Sequence, residues 1–163
     1  MAQYRHSVFH DVKDFPSLKI LEDNWEVLLG EYKKVTEKLI KWPEKNLHNG
    51  KWEAYGILFK GEYLDNACPR TTQIVKSIPG AYIAGFSILK AGCVIYPHTG
   101  YTTEVLRTHL GLICPQDCWI KVNDETYTWT EGQVVTFDDT MLHEASNESD
   151  VDRVVFILDI KKE

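Results

Sequence analysis

From Leu18 to Trp42, apolar side chains return at Leu21, Trp25, Leu28, Leu29, Tyr32, Val35, Leu39 and Ile40. Steps of three and four residues put them on one face of a helix, with Lys33, Lys34, Glu37, Lys38 and Lys41 largely on the other. The spacing predicts one amphipathic helix closed at Trp42-Pro43, because proline disfavours helical geometry in the residue before it. Asn46 to Gly50 reads as a turn-rich connection. Beyond Gly50 the pattern shortens to apolar and β-branched runs broken by turns. Candidate strands are Trp52–Phe59, Tyr82–Leu89, Val105–Ile113, Trp119–Val122, Thr126–Trp129, Gln133–Phe137 and Arg153–Ile160. Asn123-Asp124 and Glu131-Gly132 supply tight turns, and Ile74, Val75 and Ile78 mark a short helix within Cys68–Ile78. Many short strands with close turns favour a sandwich or barrel over alternating β-α units. The expected architecture is mainly β: a jelly roll over residues 51–163, braced by a helical segment over 1–50, in a single domain 1–163.

Composition narrows the class. At 163 residues the chain is long enough for a sizeable core, and its 44% hydrophobic and 26% charged residues are those of a globular protein. A net charge of −6 argues against general nucleic-acid binding, which needs a basic surface, and weakly against an anionic membrane surface. The start, Met1 to His6, has no apolar run, and no stretch approaches the roughly 18 apolar residues of a membrane span. Four cysteines, Cys68, Cys93, Cys114 and Cys118, are too few for a disulfide scaffold. A metal pair or disulfide at Cys114 and Cys118 is the alternative to buried or half-buried free thiols. The expectation is a reduced, cytoplasmic protein.

Chemistry-bearing residues concentrate in the β region. His6, His10 and His48 precede it and read as solvated or packed side chains, whereas His98, His109 and His143 fall within it. Strand alternation sends Arg107, His109 and Gly111 to one face and Leu106, Thr108, Leu110 and Leu112 to the other. An arginine and an imidazole aimed the same way make a carboxylate clamp, the alternative being a solvated polar face. Arg153, Val155, Ile157 and Asp159 likewise share a face, although an arginine at a strand start is also a common solvated end. A neutral imidazole pair suits divalent iron, and a nearby arginine suits a dicarboxylate cosubstrate that chelates it. The residues alone therefore favour a metal-dependent oxygenase.

The segment PHTGYTTEVLRTHLGLICP from Pro97 and the run ETYTWTEGQVVTFDDTMLHEASNES, followed by Arg153 and a strand ending Leu158-Asp159, resemble the aspartyl/asparaginyl β-hydroxylase family. Lys51-Trp52 and Asp65-Asn66-Ala67-Cys68 add to the resemblance, which covers roughly Trp52 to Ile160, about two thirds of the chain. It implies a double-stranded β-helix, cupin-like, and an Fe(II)- and 2-oxoglutarate-dependent dioxygenase that hydroxylates unactivated carbons. By position, His98 and His143 would be the iron ligands. Arg153 would pair with the distal carboxylate of 2-oxoglutarate, helped by Ser87. Arg107 and His109 would hold its carboxylate near the metal, and Trp52 would line its pocket.

Gly100 stands where most such oxygenases carry a metal-binding carboxylate, two residues after the first histidine. The family shares that glycine. Asp138 or Asp139 could orient a water in the freed position, the alternative being a solvated turn. The expected substrate is an amino acid, free or in a small peptide or conjugate, hydroxylated at Cβ. The positions after His143 read Glu144-Ala145-Ser146, where an aromatic residue is common in the family. Two rivals remain: a halogenase using the position that Gly100 frees, and a non-enzymatic jelly-roll module that binds a small molecule.

Overall fold

A computed structural model describes residues 7–162. Its strands form two sheets. The larger has the order β1-β2-β4-β11-β6-β9, where β1 is Ile40–Lys41, β2 Trp52–Phe59, β4 Ala81–Leu89, β11 Arg153–Lys161, β6 Val105–Ile113 and β9 Val134–Phe137. A short strand β3 (Glu62–Tyr63) hangs from β2. The smaller has the order β5-β10-β7-β8, from Val94–His98, His143–Asn147, Cys118–Val122 and Glu125–Tyr127. The pairs β2–β4, β4–β11, β11–β6 and β6–β9 are all antiparallel. This is the expected jelly roll.

Strand alternation makes the two faces of the larger sheet chemically different. On β11, Val154, Phe156, Leu158 and Ile160 join a core with Leu21, Leu28 and Val75 of the helices. Val155 and Ile157 face the other way, into a second core with Ile120 and Val122 of the smaller sheet and with Trp52, Trp129 and Phe137. The functional residues gather on this inner face.

The helical segment departs from expectation. Instead of one helix to Trp42 there are two short ones, α1 (Lys19–Asp23) and α2 (Trp25–Tyr32). They break at Asn24, whose side-chain amide donates to the Ile20 carbonyl at 2.8 Å. After Tyr32, only Val35 is buried before Ile40. One buried anchor does not sustain two more helical turns, and pairing Ile40 with Ala54 satisfies the backbone on the edge of β2 instead. The helix expected in Cys68–Ile78 is α3 (Pro69–Lys76). The buried Glu31 of α2 accepts from the Thr71 hydroxyl at 2.7 Å and the Arg70 amide at 3.2 Å. A carboxylate thereby caps the positive end of α3.

Candidate active site

His98 and His143 end up face to face, although neither lies on a strand that the hydrophobic pattern marks. His98 closes β5, and His143 opens β10; the two are register partners with ring centroids 4.3 Å apart. Pro97 is tolerated because β5 is an edge strand. Each ring turns Nδ1 toward the carbonyl two residues earlier, His98 to Tyr96 at 2.7 Å and His143 to Met141 at 2.8 Å. A carbonyl only accepts, so the proton sits on Nδ1 and both Nε2 lone pairs are left free, as metal ligation requires. Burial pushes the His143 imidazole down to about 4, which keeps it neutral.

The histidines share a cavity with Trp52, Ser87, Arg107, His109 and Arg153, so all seven expected site residues line one space. Arg153 lies at the buried end. Its Nη2 donates to the Ser87 carbonyl at 3.1 Å and hydroxyl oxygen at 3.0 Å, and its guanidinium lies 4.4 Å from the Trp129 ring centroid. Among the described residues no carboxylate pairs with it, and its Nε is buried without a partner. Burial pushes its pKa down to about 10. The Ser87 oxygen also accepts from the Trp52 indole at 2.9 Å. With both lone pairs engaged, the hydroxyl's hydrogen remains to donate.

His109 has the opposite protonation pattern to the facing pair. Its Nδ1 accepts from the Trp129 indole at 3.1 Å, so its proton sits on Nε2 and the ring offers a donor rather than a free lone pair. Burial, with Arg153 and Arg107 nearby, holds its pKa well below the usual range. Three histidines thus divide into two acceptors and one donor.

Arg107 differs from the sequence expectation. Its Nε and Nη2 donate to the two oxygens of the fully buried Asp159 at 2.8 and 2.9 Å, so the planar fork is taken by a protein carboxylate. Tyr101 donates to the same Asp159 at 2.8 Å. Only Nη1 is turned elsewhere, 3.9 Å from Asp139. The two candidate aspartates also separate. Asp138 accepts from Thr140 and pairs with Lys162 at 3.2 Å near the surface. Asp139 is fully buried, with neither carboxylate oxygen hydrogen-bonded. Its carboxylate fills the space beside Gly100, where any Cβ would collide with it. Burial pushes Asp139 up to about 6, against the pull of Arg107.

Trp129 and Asp159 are the site residues whose roles the sequence reading missed. Trp129 was expected inside a strand, but β8 stops at Tyr127, freeing the indole to bridge Arg153 and His109. Parity puts Asp159 on the same strand face as Arg153, yet only the pairing of β11 with β6 sets it opposite Arg107. The remaining histidines stay out of the site: His10 pairs with Asp14 at 3.2 Å, and His48 is buried against Trp42 and Trp52. His6 lies outside the described residues. All four cysteines are free thiols, and burial pushes those of Cys93 and Cys118 up to about 11 and that of Cys114 up to about 12. Among the described residues no group of three His, Cys, Asp or Glu side chains is placed to share one metal ion.

Solved structures share the fold at low identity. A 2OG-Fe(II) oxygenase family oxidoreductase from Burkholderia pseudomallei superposes with a TM-score of 0.57 at 8% identity, covering 83% of this chain and 78% of that one. A Pseudomonas putida prolyl-4-hydroxylase gives 0.54 at 10% identity, covering 95% and 92%. Sequence similarity is stronger. The human aspartyl/asparaginyl beta-hydroxylase is 34% identical over 156 residues, covering 88% of this chain but 21% of that protein. The ornithine lipid ester-linked acyl 2-hydroxylase of Rhizobium tropici is 35% identical over 157 residues, covering 92% and 55%. The chain thus spans about a fifth of the first relative's length and just over half of the second's. Residues 22–163 match the sequence profile described as aspartyl/asparaginyl beta-hydroxylase, and the chain belongs to that family.

Proposed function

We propose that the cavity binds Fe(II) and 2-oxoglutarate and hydroxylates a C–H bond of a substrate bound beside them. The observation that carries this reading is the unpaired, buried guanidinium of Arg153 in the same cavity as two imidazoles with free Nε2 atoms. A buried charge without a partner is costly, so an anionic ligand group is what the site lacks. A molecule with a carboxylate at one end and chelating oxygens at the other meets both needs. His98 and His143 would hold the metal. Arg153 and the Ser87 hydroxyl would receive the distal carboxylate, with Trp52 and Trp129 fixing their orientation. The Nε2–H of His109 would donate to the carboxylate nearer the metal. When bound, Fe(II) with 2-oxoglutarate supplies oxidation of an unactivated C–H by O₂, with succinate and CO₂ as coproducts.

Asp139 takes the part left open at Gly100. Its two oxygens without partners suit it to accept from water beside the metal. With a pKa of about 6 it is largely ionised at neutral pH, and a carboxylate there repels a halide. That observation favours hydroxylation over halogenation. The substrate reading stays with an amino acid, free or in a small peptide or conjugate. The names of the two relatives divide between aspartyl/asparaginyl and acyl hydroxylation, so similarity supports the chemistry more closely than the substrate.

The test is substrate-dependent succinate release under Fe(II) and ascorbate, with mass spectrometry for a gain of one oxygen. Arg153→Ala should raise the apparent KM for 2-oxoglutarate well over tenfold, since losing one member of a desolvated charge pair costs roughly 2–5 kcal/mol. Arg153→Lys should rescue only in part, for lack of the fork. An unchanged KM in Arg153→Ala would remove the cosubstrate from this cavity.

A further inference from the structure

Next to the catalytic cavity, the inner face of the larger sheet continues along β2 and β4, where the described residues leave it partly open. There it lines a second cavity of about 430 Å³, with a floor that includes Ala54, Gly56, Ile83 and Gly85. Nine large apolar side chains are exposed among the described residues, and four of them, Ile40, Phe59, Leu64 and Tyr101, border this groove. Such a concentration marks a binding surface rather than the scatter normal for a protein exterior. The volume lies within the range of small-molecule sites. Arg107 and Ile157 line both cavities, so the groove lies against the proposed reaction site and shares a wall with it.

The lining chemistry selects the occupant. Its charged members are Glu44, Lys60 and Arg107, and Arg107 is already neutralised by Asp159. A peptide backbone laid on this apolar face would bring amides and carbonyls with few partners, each costly to bury unpaired. A hydrocarbon chain carries no such cost. Ile40 of the edge strand β1 stands at the rim, but the floor of the recess is a face of the sheet, which offers a peptide laid on it no strand-addition hydrogen bonds.

We propose that this groove holds a straight acyl chain of an individually bound substrate, whose polar head lies toward the catalytic cavity. The substrate class is then an acyl conjugate. The assignment of that chain as substrate rests on the reading of the neighbouring cavity as a hydroxylation site; the groove's affinity for an acyl chain does not.

N-acylglycines with chains of four to fourteen carbons, kept below their aggregation limit, are the probe. Binding is followed by calorimetry and tryptophan fluorescence, with and without Fe(II) and 2-oxoglutarate under anaerobic conditions. Affinity should rise with chain length, by up to about fourfold per methylene, until the groove is filled. Ile40→Glu, at an exposed rim position, and Ala54→Phe, which fills the floor, should each weaken the longer chains at least tenfold. Val151→Glu, exposed outside the groove, should leave binding unchanged. Circular dichroism of each variant separates misfolding from lost binding, and Ile40→Glu alone decides if Ala54→Phe does not fold. Length-dependent, variant-sensitive binding without turnover would uphold the groove and count against the hydroxylation reading. Absence of a length dependence, or equal binding by parent and Ile40→Glu, would overturn the proposal. So would a dimer abolished by Ile40→Glu, or variant-sensitive binding to phosphatidylcholine vesicles without binding of the monomeric probes.

Discussion

The two faces of β11 are made from alternate residues of one strand and serve opposite ends. Outward, Val154, Phe156, Leu158 and Ile160 are buried hydrocarbon against the helices, with no polar atom to satisfy. Inward, the strand starts with an arginine that has no carboxylate partner and ends with an aspartate tied to Arg107. The outer face contributes stability. The inner face gives some of it up, because a buried guanidinium without a counter-charge opposes folding. The difference teaches that stability and chemistry are separable by residue parity along a single strand.

Mutation of the outer face should give the largest change in stability and the least in binding. Phe156→Ala is expected to cost about 3–5 kcal/mol in denaturant unfolding, the usual price of an aromatic removed from a core. The protein that remains folded should hold 2-oxoglutarate within about twofold of the parent. Arg153→Ala should invert that order, with binding lost and stability changed less, since a desolvated charge disappears. Equal stability losses at the two positions would break the contrast between the faces.

Asp139 offers a smaller effect with a defined pH window. Its folded-state pKa is raised from 3.8 to about 6, so the folded protein resists ionising it. The stability associated with the protonated form is complete below about pH 4 and lost as pH rises through about 6. Asp139→Asn should remove this loss. In urea unfolding of the metal-free protein, the variant should gain on the parent by about 2–3 kcal/mol between pH 4 and pH 7. A constant difference across that window would mean that Asp139 ionises as freely as an exposed carboxylate.

Most strands were legible in the sequence because their apolar and β-branched runs are real core segments. Trp52–Phe59 and Val105–Ile113 match their expected bounds residue for residue. The two strands carrying the histidine pair were not legible. His143–Asn147 reads His-Glu-Ala-Ser-Asn, with no β-branched side chain, and Val94–His98 contains a proline. Local propensity opposes the first and Pro97 interrupts the Val-Ile-Tyr run of the second, and their pairing with each other and with β7 prevails. Strand parity put Arg107 with His109 on one face of β6 and Arg153 with Asp159 on one face of β11, and the structure brings Arg107, His109 and Arg153 to the same cavity. Parity carried no information on which acid meets which arginine, since that depends on the register between β6 and β11. The end of the helix was obscured for a similar reason: the apolar spacing continues past Tyr32, while the backbone partner that ends it lies on β2, distant in sequence.

The central claim is the division of three histidines into a metal-binding pair and a cosubstrate donor. Anaerobic titration of Fe(II) and then 2-oxoglutarate into His98→Ala and His109→Ala tests it most directly, with folding checked by circular dichroism. His98→Ala should lose iron first and 2-oxoglutarate only as a consequence. His109→Ala should keep Fe(II) affinity close to the parent's and lose 2-oxoglutarate affinity by about 1.5–3 kcal/mol, the worth of a hydrogen bond to a charged group. Loss of iron binding in a folded His109→Ala protein would contradict the account and mean a three-histidine metal site.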